Sequence, residues 1–281
     1  MSRQDVEQIE IALLLEAVRR RYGYDFSEHA PASLRRRILH RMQQSGLSTI
    51  SEMIPLLLHD QSYFDELLHS FSITVTEMFR DPPFFRAIRD VVIPILRTYP
   101  FTKVWHAGCA SGEEVYSMAI LLQEEGIYER ALLYGTDYNK QALAKAKEGI
   151  YPLDALDAYA KSYREAGGKR SLFDYFHVRH GFAKIKRSVQ ENILFTYHNL
   201  LADGVFGEMN MIICRNVLIY FNRNLQDRVI RLFLDSLCHR GFICLGSKET
   251  IATSPLRTEL EEVCAKERIY RGVAAARRER S

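Results

Sequence analysis

Residues 103–125 read KVWHAGCASGEEVYSMAILLQEE, and the apolar period changes once inside that run. Lys103 to Gly108 is a short apolar strand that ends at a glycine turn. From Glu113 to Glu125 the residues Tyr116, Ala119, Ile120 and Leu122 recur at helical spacing. Strand, glycine turn and helix in that order open a βαβ unit. The alternation continues downstream. Leu132 to Gly135 reads as a strand, Lys140 to Lys147 as a helix, and Met209 to Cys214 as a strand. Gln226 to Cys238 reads as an amphipathic helix and Phe242 to Gly246 as a further strand. The pattern predicts an α/β domain built on a mostly parallel, doubly wound, Rossmann-like sheet.

One segment breaks the alternation. Between about 170 and 198, the residues Phe173, Tyr175, Phe176 and Val178, then Ile193, Phe195 and Tyr197, form short β-runs with Gly181 as a turn. They predict a small inserted antiparallel ribbon. Upstream, residues 1–72 read as all helix. Val6, Ile9, Leu13, Leu14 and Val18 share helical spacing, Leu34, Ile38, Leu39 and Met42 form a second face, and Leu56, Leu57, Phe64, Leu67 and Leu68 a third. Residues 73–85 link this helical domain to the rest, and Pro82-Pro83 stop a helix from continuing through the link.

The chain has 281 residues, 47% apolar and 26% charged, which suits about two globular domains. Lys+Arg 38 against Asp+Glu 35 leaves +3, which excludes a nucleic-acid coat and an acidic disordered tail. The five cysteines form no C-x-x-C pair, so neither a disulfide framework nor a metal site is expected. The apolar run Ile11 to Leu15 is too short for a signal core, and no stretch approaches the about 20 residues of a membrane span. A soluble cytoplasmic protein is expected.

In an open α/β sheet, ligands bind beyond the carboxyl ends of the strands. After the first strand come Gly108 and Gly112, which let backbone approach a ligand, followed by Glu113 and Glu114 at a helix start. Those acids suit a cationic or polar ligand better than a pyrophosphate, and the spacing is not G-x-G-x-x-G. After the second strand comes Asp137, where such folds hold the ribose hydroxyls of an adenosine. Tight-turn glycines and a helix-capping aspartate would leave the same trace.

Four strings then carry a resemblance: Thr74-Val75-Thr76-Glu77-Met78-Phe79-Arg80-Asp81, Trp105 to Ser117, Gly135-Thr136-Asp137, and Cys214-Arg215-Asn216-Val217-Leu218-Ile219-Tyr220-Phe221. In that order they resemble the CheR family, S-adenosylmethionine-dependent methyltransferases that esterify glutamates of chemotaxis receptors. The resemblance implies that residues 86–281 form the methyltransferase domain, carrying the ribbon as a β-subdomain. It implies S-adenosylmethionine as cofactor and S-adenosylhomocysteine as product. It places Thr74, Thr76, Arg80, Gly108, Glu114, Asp137, Asn199, Leu200, Arg215 and Asn216 at the cofactor, and Arg80 and Tyr220 at methyl transfer. Thr74 stands where the family often has Asn; Met78, Val115, Arg240-Gly241 and Lys248 are further departures.

Transfer to a glutamate needs an ionised carboxylate aligned with a sulfonium methyl. At an ordinary pKa of about 4.3 that carboxylate is ionised at neutral pH, so alignment is the main task. Excess stabilisation of the carboxylate would oppose its esterification, which makes Arg80 a positioning group rather than a clamp. For docking, residues 19–44 hold seven arginines against Asp25 and Glu28. Arg35, Arg37 and Arg41 are the expected contacts to the helical domain of a chemoreceptor, since arginine forks engage carboxylates. The basic ribbon, with Lys169, Arg170, Arg179, Lys184, Lys186 and Arg187, leaves a receptor C-terminal peptide open as a further partner. No nucleic acid and no membrane insertion are expected. A methyltransferase of another substrate, or an idle cofactor-binding adaptor, would share the fold.

Overall fold

The computed structural model describes residues 3–26, 31–71 and 76–273, and the chain divides into two compact units. Residues 1–73 group with Leu218–Gln226; residues 74–217 group with 227–281.

The first unit contains α1 (Arg3–Tyr22), α2 (Pro31–Gln44), α3 (Met53–His59) and α4 (Gln61–Phe71). Leu14 and Val18 of α1, Leu34 and Ile38 of α2, Leu57 of α3 and Leu67 of α4 are buried together by their helical spacing. Tyr22 stacks on Phe64 with ring centroids 3.6 Å apart, and its hydroxyl donates to the Leu57 carbonyl at 2.7 Å. Val6, Ile9 and Leu13, expected on the same face as Leu14 and Val18, are exposed instead. Their spacing forms a stripe, but one that points away from the helices α1 packs on. The short turn Leu218–Tyr220 and Phe221 belong to this unit: Asp25 N–H donates to the Tyr220 carbonyl at 2.9 Å, and Tyr24 meets Phe221 edge-on at 5.4 Å.

The second unit begins with α5 (Pro82–Ala87), a π turn at Ile88–Val92, and α6 (Ile93–Leu96). Pro82 and Pro83 thus start a helix as well as blocking one, because proline's missing N–H is unneeded in a first turn. The strands are β1 (Thr102–Ala107), β2 (Ala131–Asp137), β3 (Ile150–Pro152), β4 (Phe176–Arg179), β5 (Phe182–Ile185), β6 (Ile193–Tyr197), β7 (Met209–Cys214), β8 (Leu237–Leu245), β9 (Leu260–Cys264) and β10 (Ile269–Gly272). Between them lie α7 (Glu113–Glu124), α8 (Lys140–Glu148), α9 (Leu153–Glu165), α10 (Arg187–Gln190) and α11 (Arg223–Ser236).

Seven strands form one sheet in the order β6-β2-β1-β7-β8-β10-β9. The first five are parallel, and β10 and β9 add an antiparallel margin. This is the expected α/β sheet: Val104, Trp105, Leu133, Met211, Ile213, Phe242 and Cys244 are buried. The chain winds outward from β1 through β2 to β6, then crosses back to β7. The strand order therefore reverses beside β1, the place where such sheets hold ligands.

The ribbon expected at about 170–198 is smaller at one end and larger at the other. Its sheet is β3-β5-β4, antiparallel, and it recruits Ile150–Pro152 from outside that range. Ile193, Phe195 and Tyr197 belong to β6, which runs parallel beside β2 as an edge of the main sheet. Phe173 and Tyr175 lie in a single 3₁₀ turn.

Candidate functional site

Four neighbouring strands, β6, β2, β1 and β7, end along one margin of the sheet, and most of the expected cofactor residues follow directly on those ends. At about 4.8 Å per strand, they spread over roughly 15 Å.

The loop after β1 is set by hydrogen bonds to its neighbour. The Gly108 and Cys109 N–H groups donate to the Thr136 carbonyl at 2.8 and 2.9 Å. Gly108 is left-handed (φ 80), and a Cβ there would stand 2.5 Å from Val217 Cγ2. Gly112 is left-handed as well (φ 91), with its Cβ position 2.9 Å from that of Ala146. Both glycines are required by conformation and by space.

Asp137 closes β2 and ties this loop down. Its Oδ2 accepts the Ala110 N–H at 2.9 Å and its Oδ1 the Asn139 N–H at 2.8 Å. Beyond β6, the His198 N–H donates to the Asp137 carbonyl at 3.3 Å, bringing Asn199 and the buried Leu200 beside the β2 end. Asn199 shapes its own turn: its N–H donates to Asp203 Oδ2 at 2.8 Å and its Oδ1 accepts from Leu201 at 3.0 Å.

Glu114 and Arg215 meet at the β1 and β7 ends. Glu114 Oε1 lies 3.0 Å from His106 Nδ1, and Glu114 Oε2 lies 3.2 Å from Arg215 Nη1. Burial pushes the Glu114 carboxyl up, but the His106 hydrogen bond and the Arg215 charge outweigh it and hold it below its ordinary value. The carboxylate can only accept, so His106 Nδ1 carries the proton. Arg215 continues to the segment before α5: Nη2 pairs with Asp81 Oδ2 at 2.5 Å and Nη1 donates to the Arg80 carbonyl at 3.3 Å. Its guanidinium sits 4.1 Å over the Phe84 ring. The Arg80 side chain is exposed and makes no ion pair among the described residues.

Glu113 behaves unlike its neighbour. It is buried, Ser111 Oγ donates to its Oε1 at 3.0 Å, and its Oε2 has no partner among the described residues. Burial raises its pKa to about 7.

Sequence reasoning missed two groups here, and it marks Glu113 only as an acid at a helix start, not as a buried one. His106 is a buried ionisable side chain on a strand, where no spacing marks it. Glu249 is the other: buried, it accepts the N–H groups of Asn216 (3.1 Å), Val217 (2.8 Å) and Gly246 (2.6 Å). It braces the turn that carries Arg215 and the left-handed Asn216 (φ 61). The signal for it was an acid three residues after the strand-end glycine in Gly246-Ser247-Lys248-Glu249. Of the other expected residues, Thr76 is half-buried before the Met78–Asp81 turn, Thr74 lies outside the described residues, and Tyr220 lies in the helical unit. Arg35 pairs with Glu7, Arg41 pairs with Glu66 and faces Tyr63 at 4.8 Å, and Arg37 Nη1 donates to the Ser70 carbonyl at 2.8 Å. Among the described residues no helix is long and apolar enough to cross a membrane, and no cluster of His, Cys, Asp or Glu could hold a metal.

An acid after β2, a glycine loop after β1 and polar groups after β6 and β7 stand together at the margin where a Rossmann-like sheet holds its ligand. Residues 74–266 match the family model described as "CheR methyltransferase, SAM binding domain", and residues 9–72 match "CheR methyltransferase, all-alpha domain". The chain belongs to the CheR methyltransferase family, and its larger domain is one that binds S-adenosylmethionine. It is 48% identical over 263 residues to a Pseudomonas putida protein carrying the methyltransferase name Cher3, covering 94% of this chain and 96% of that one. It is 28% identical to a chemotaxis protein methyltransferase of Listeria monocytogenes (83% and 87% covered) and 25% identical to that of Escherichia coli (84% and 82%). Glu113 Oε2 and Arg215 Nε, buried and without a partner among the described residues, together with the tight glycine loop, give this margin polar groups that suit the cofactor.

Proposed function

We propose that this chain transfers the methyl group of S-adenosylmethionine to glutamate side chains of chemoreceptors, in the cytoplasm. The observation that carries the reading is Arg80: an exposed guanidinium on a backbone that Arg215 couples to Glu114 at the cofactor margin. The names of the full-length relatives point to the same class of substrate.

S-adenosylmethionine supplies an electrophilic sulfonium methyl. Asp137 would hold the ribose hydroxyls, Asn199 and Leu200 would border the adenine, and the Gly108–Gly112 loop with Glu114 and Asn216 would surround the methionine portion. Arg80 would orient the incoming carboxylate, and Tyr220 would line the transfer site. The nucleophile arrives ionised, so the protein's task is alignment.

Receptor docking falls to the part of α2 that stays solvent-facing. Arg36 and His40 are exposed one helical turn apart, and Arg36 makes no ion pair among the described residues. Arg35 remains half-exposed beside Glu7, whereas Arg37 and Arg41 are committed to the helical unit. The basic β3-β5-β4 sheet is a second surface for an acidic receptor segment such as its C-terminal peptide.

Incubation with labelled S-adenosylmethionine and receptor-enriched membranes tests the reading. Alkali-labile label on receptor glutamates supports it. Label on another protein or small molecule, or none, overturns it.

A further inference from the structure

The backbone on either side of Arg80 is unusual. Phe79 (φ 54) and Asp81 (φ 58) are both left-handed, although neither is glycine. Such residues persist only where their surroundings over-determine them. On the Phe79 side, the ring is fully buried against Phe85 (5.0 Å) and Tyr163 (5.1 Å). The Phe79 N–H donates to Ser117 Oγ at 2.9 Å, and that hydroxyl donates onward to the Glu113 carbonyl at 2.7 Å. Ser117 is itself buried on the inner face of α7, so it is a fixed acceptor. On the Asp81 side, Arg215 holds both the Arg80 carbonyl and the Asp81 carboxylate. Glu249 in turn fixes the backbone of the turn that follows Arg215.

We propose that Ser117 and Arg215 are positioning residues, which hold a preset Phe79–Asp81 turn so that Arg80 is presented from a rigid backbone. The proposal rests on the reading of Arg80 given above. Ser117 reaches no reacting group in this scheme. It acts through one amide, and Arg215 through one carbonyl and one carboxylate. The two holds come from different elements, α7 and the β7 end. The turn therefore stands at a fixed distance from the glycine loop that opens α7. A long side chain on a fixed turn loses less freedom on meeting a carboxylate than one on a loose loop.

The test uses the full chain carrying Ser117→Ala, Arg80→Ala or both. Hydrogen exchange at the Phe79 amide is followed with S-adenosylhomocysteine affinity by calorimetry and turnover on receptor-enriched membranes. Ser117→Ala should speed Phe79 exchange and lower turnover, each by about tenfold, while affinity stays within about twofold. In the Arg80→Ala background, the same substitution should change residual turnover by less than about twofold, since its effect runs through Arg80. Unchanged Phe79 exchange, equal loss of turnover in both backgrounds, or affinity falling in step with turnover would each overturn the proposal. If the unmodified chain labels no receptor, the functional reading fails on its own. The exchange measurement still decides whether Ser117 holds the turn.

Discussion

Asp137 Oδ2 accepts the Ala110 N–H at 2.9 Å, so the acid after β2 clasps the loop that follows β1. Ala110 is left-handed (φ 47), and this bond is one reason it can be. Asp137 thus shapes the glycine loop, beside the ribose role proposed for it above.

Asp137→Ala should therefore lower affinity for S-adenosylhomocysteine by about 10- to 100-fold, the loss of one or two charge-assisted hydrogen bonds. Titration calorimetry measures it. An unchanged affinity would remove Asp137 from the cofactor site.

Arg80→Ala should cut turnover far more than it cuts cofactor affinity, because the side chain is exposed and makes no ion pair among the described residues that it would have to release. Steady-state rates set beside calorimetric affinities separate the two. Equal losses in both would make Arg80 a cofactor contact instead.

Glu113→Gln should flatten part of the pH dependence of stability. Burial raises the folded pKa of Glu113 to about 7, above the 4.5 of an unperturbed glutamate. Between those values the folded chain binds more protons than the unfolded one. Stability from this group is thus complete below about pH 4.5 and is lost as pH rises through about 7. The loss should reach up to about 3 kcal/mol. Denaturant unfolding at pH 5 and pH 8 reads it, and a Gln variant with the same slope as the parent would contradict the assignment.

Gly108→Ala should destabilise the larger unit. The left-handed backbone (φ 80) alone costs an alanine about 1–2 kcal/mol. The new methyl would also stand 2.5 Å from Val217 Cγ2. A lowered unfolding midpoint with weakened cofactor binding is expected; an unaltered midpoint would show that the loop relaxes freely.

Arg36→Glu should slow methylation of receptors without changing the unfolding midpoint, whereas Arg41→Glu should lower the midpoint. Arg41 faces Tyr63, pairs with Glu66 and is 15% exposed at its side chain. Equal kinetic losses with no change in stability for either would return the docking role to the whole arginine cluster.

Much of the α/β fold is legible in the sequence. The KVWHAG strand and the helix after it announce themselves because the apolar period changes from run to face within a few residues. Asp137 is legible as the acid that closes a strand, whereas its bond to the Ala110 N–H is not. What pairs with what was not: Ile193 to Tyr197 has a β pattern whether it joins a ribbon or the edge of the main sheet, and only the crossover decides. The β9 and β10 pair was hidden by Glu261, Glu262 and Arg271, polar residues that break up the apolar alternation of two short strands. Charge counting marked an arginine-rich helix, but it could not see that Glu7 and Glu66, distant in sequence, claim two of its members. Glu249 works on backbone amides, which carry no residue code at all.

The residues Leu218–Gln226 cluster with the N-terminal helices although they lie after β7 in the chain. The consequence is for anyone exchanging modules between related proteins. A chimera that grafts only residues 1–73 would separate Tyr24 from Phe221 and Asp25 from Tyr220, leaving both halves mismatched. The transferable cassette is bipartite, and Tyr220 travels with it.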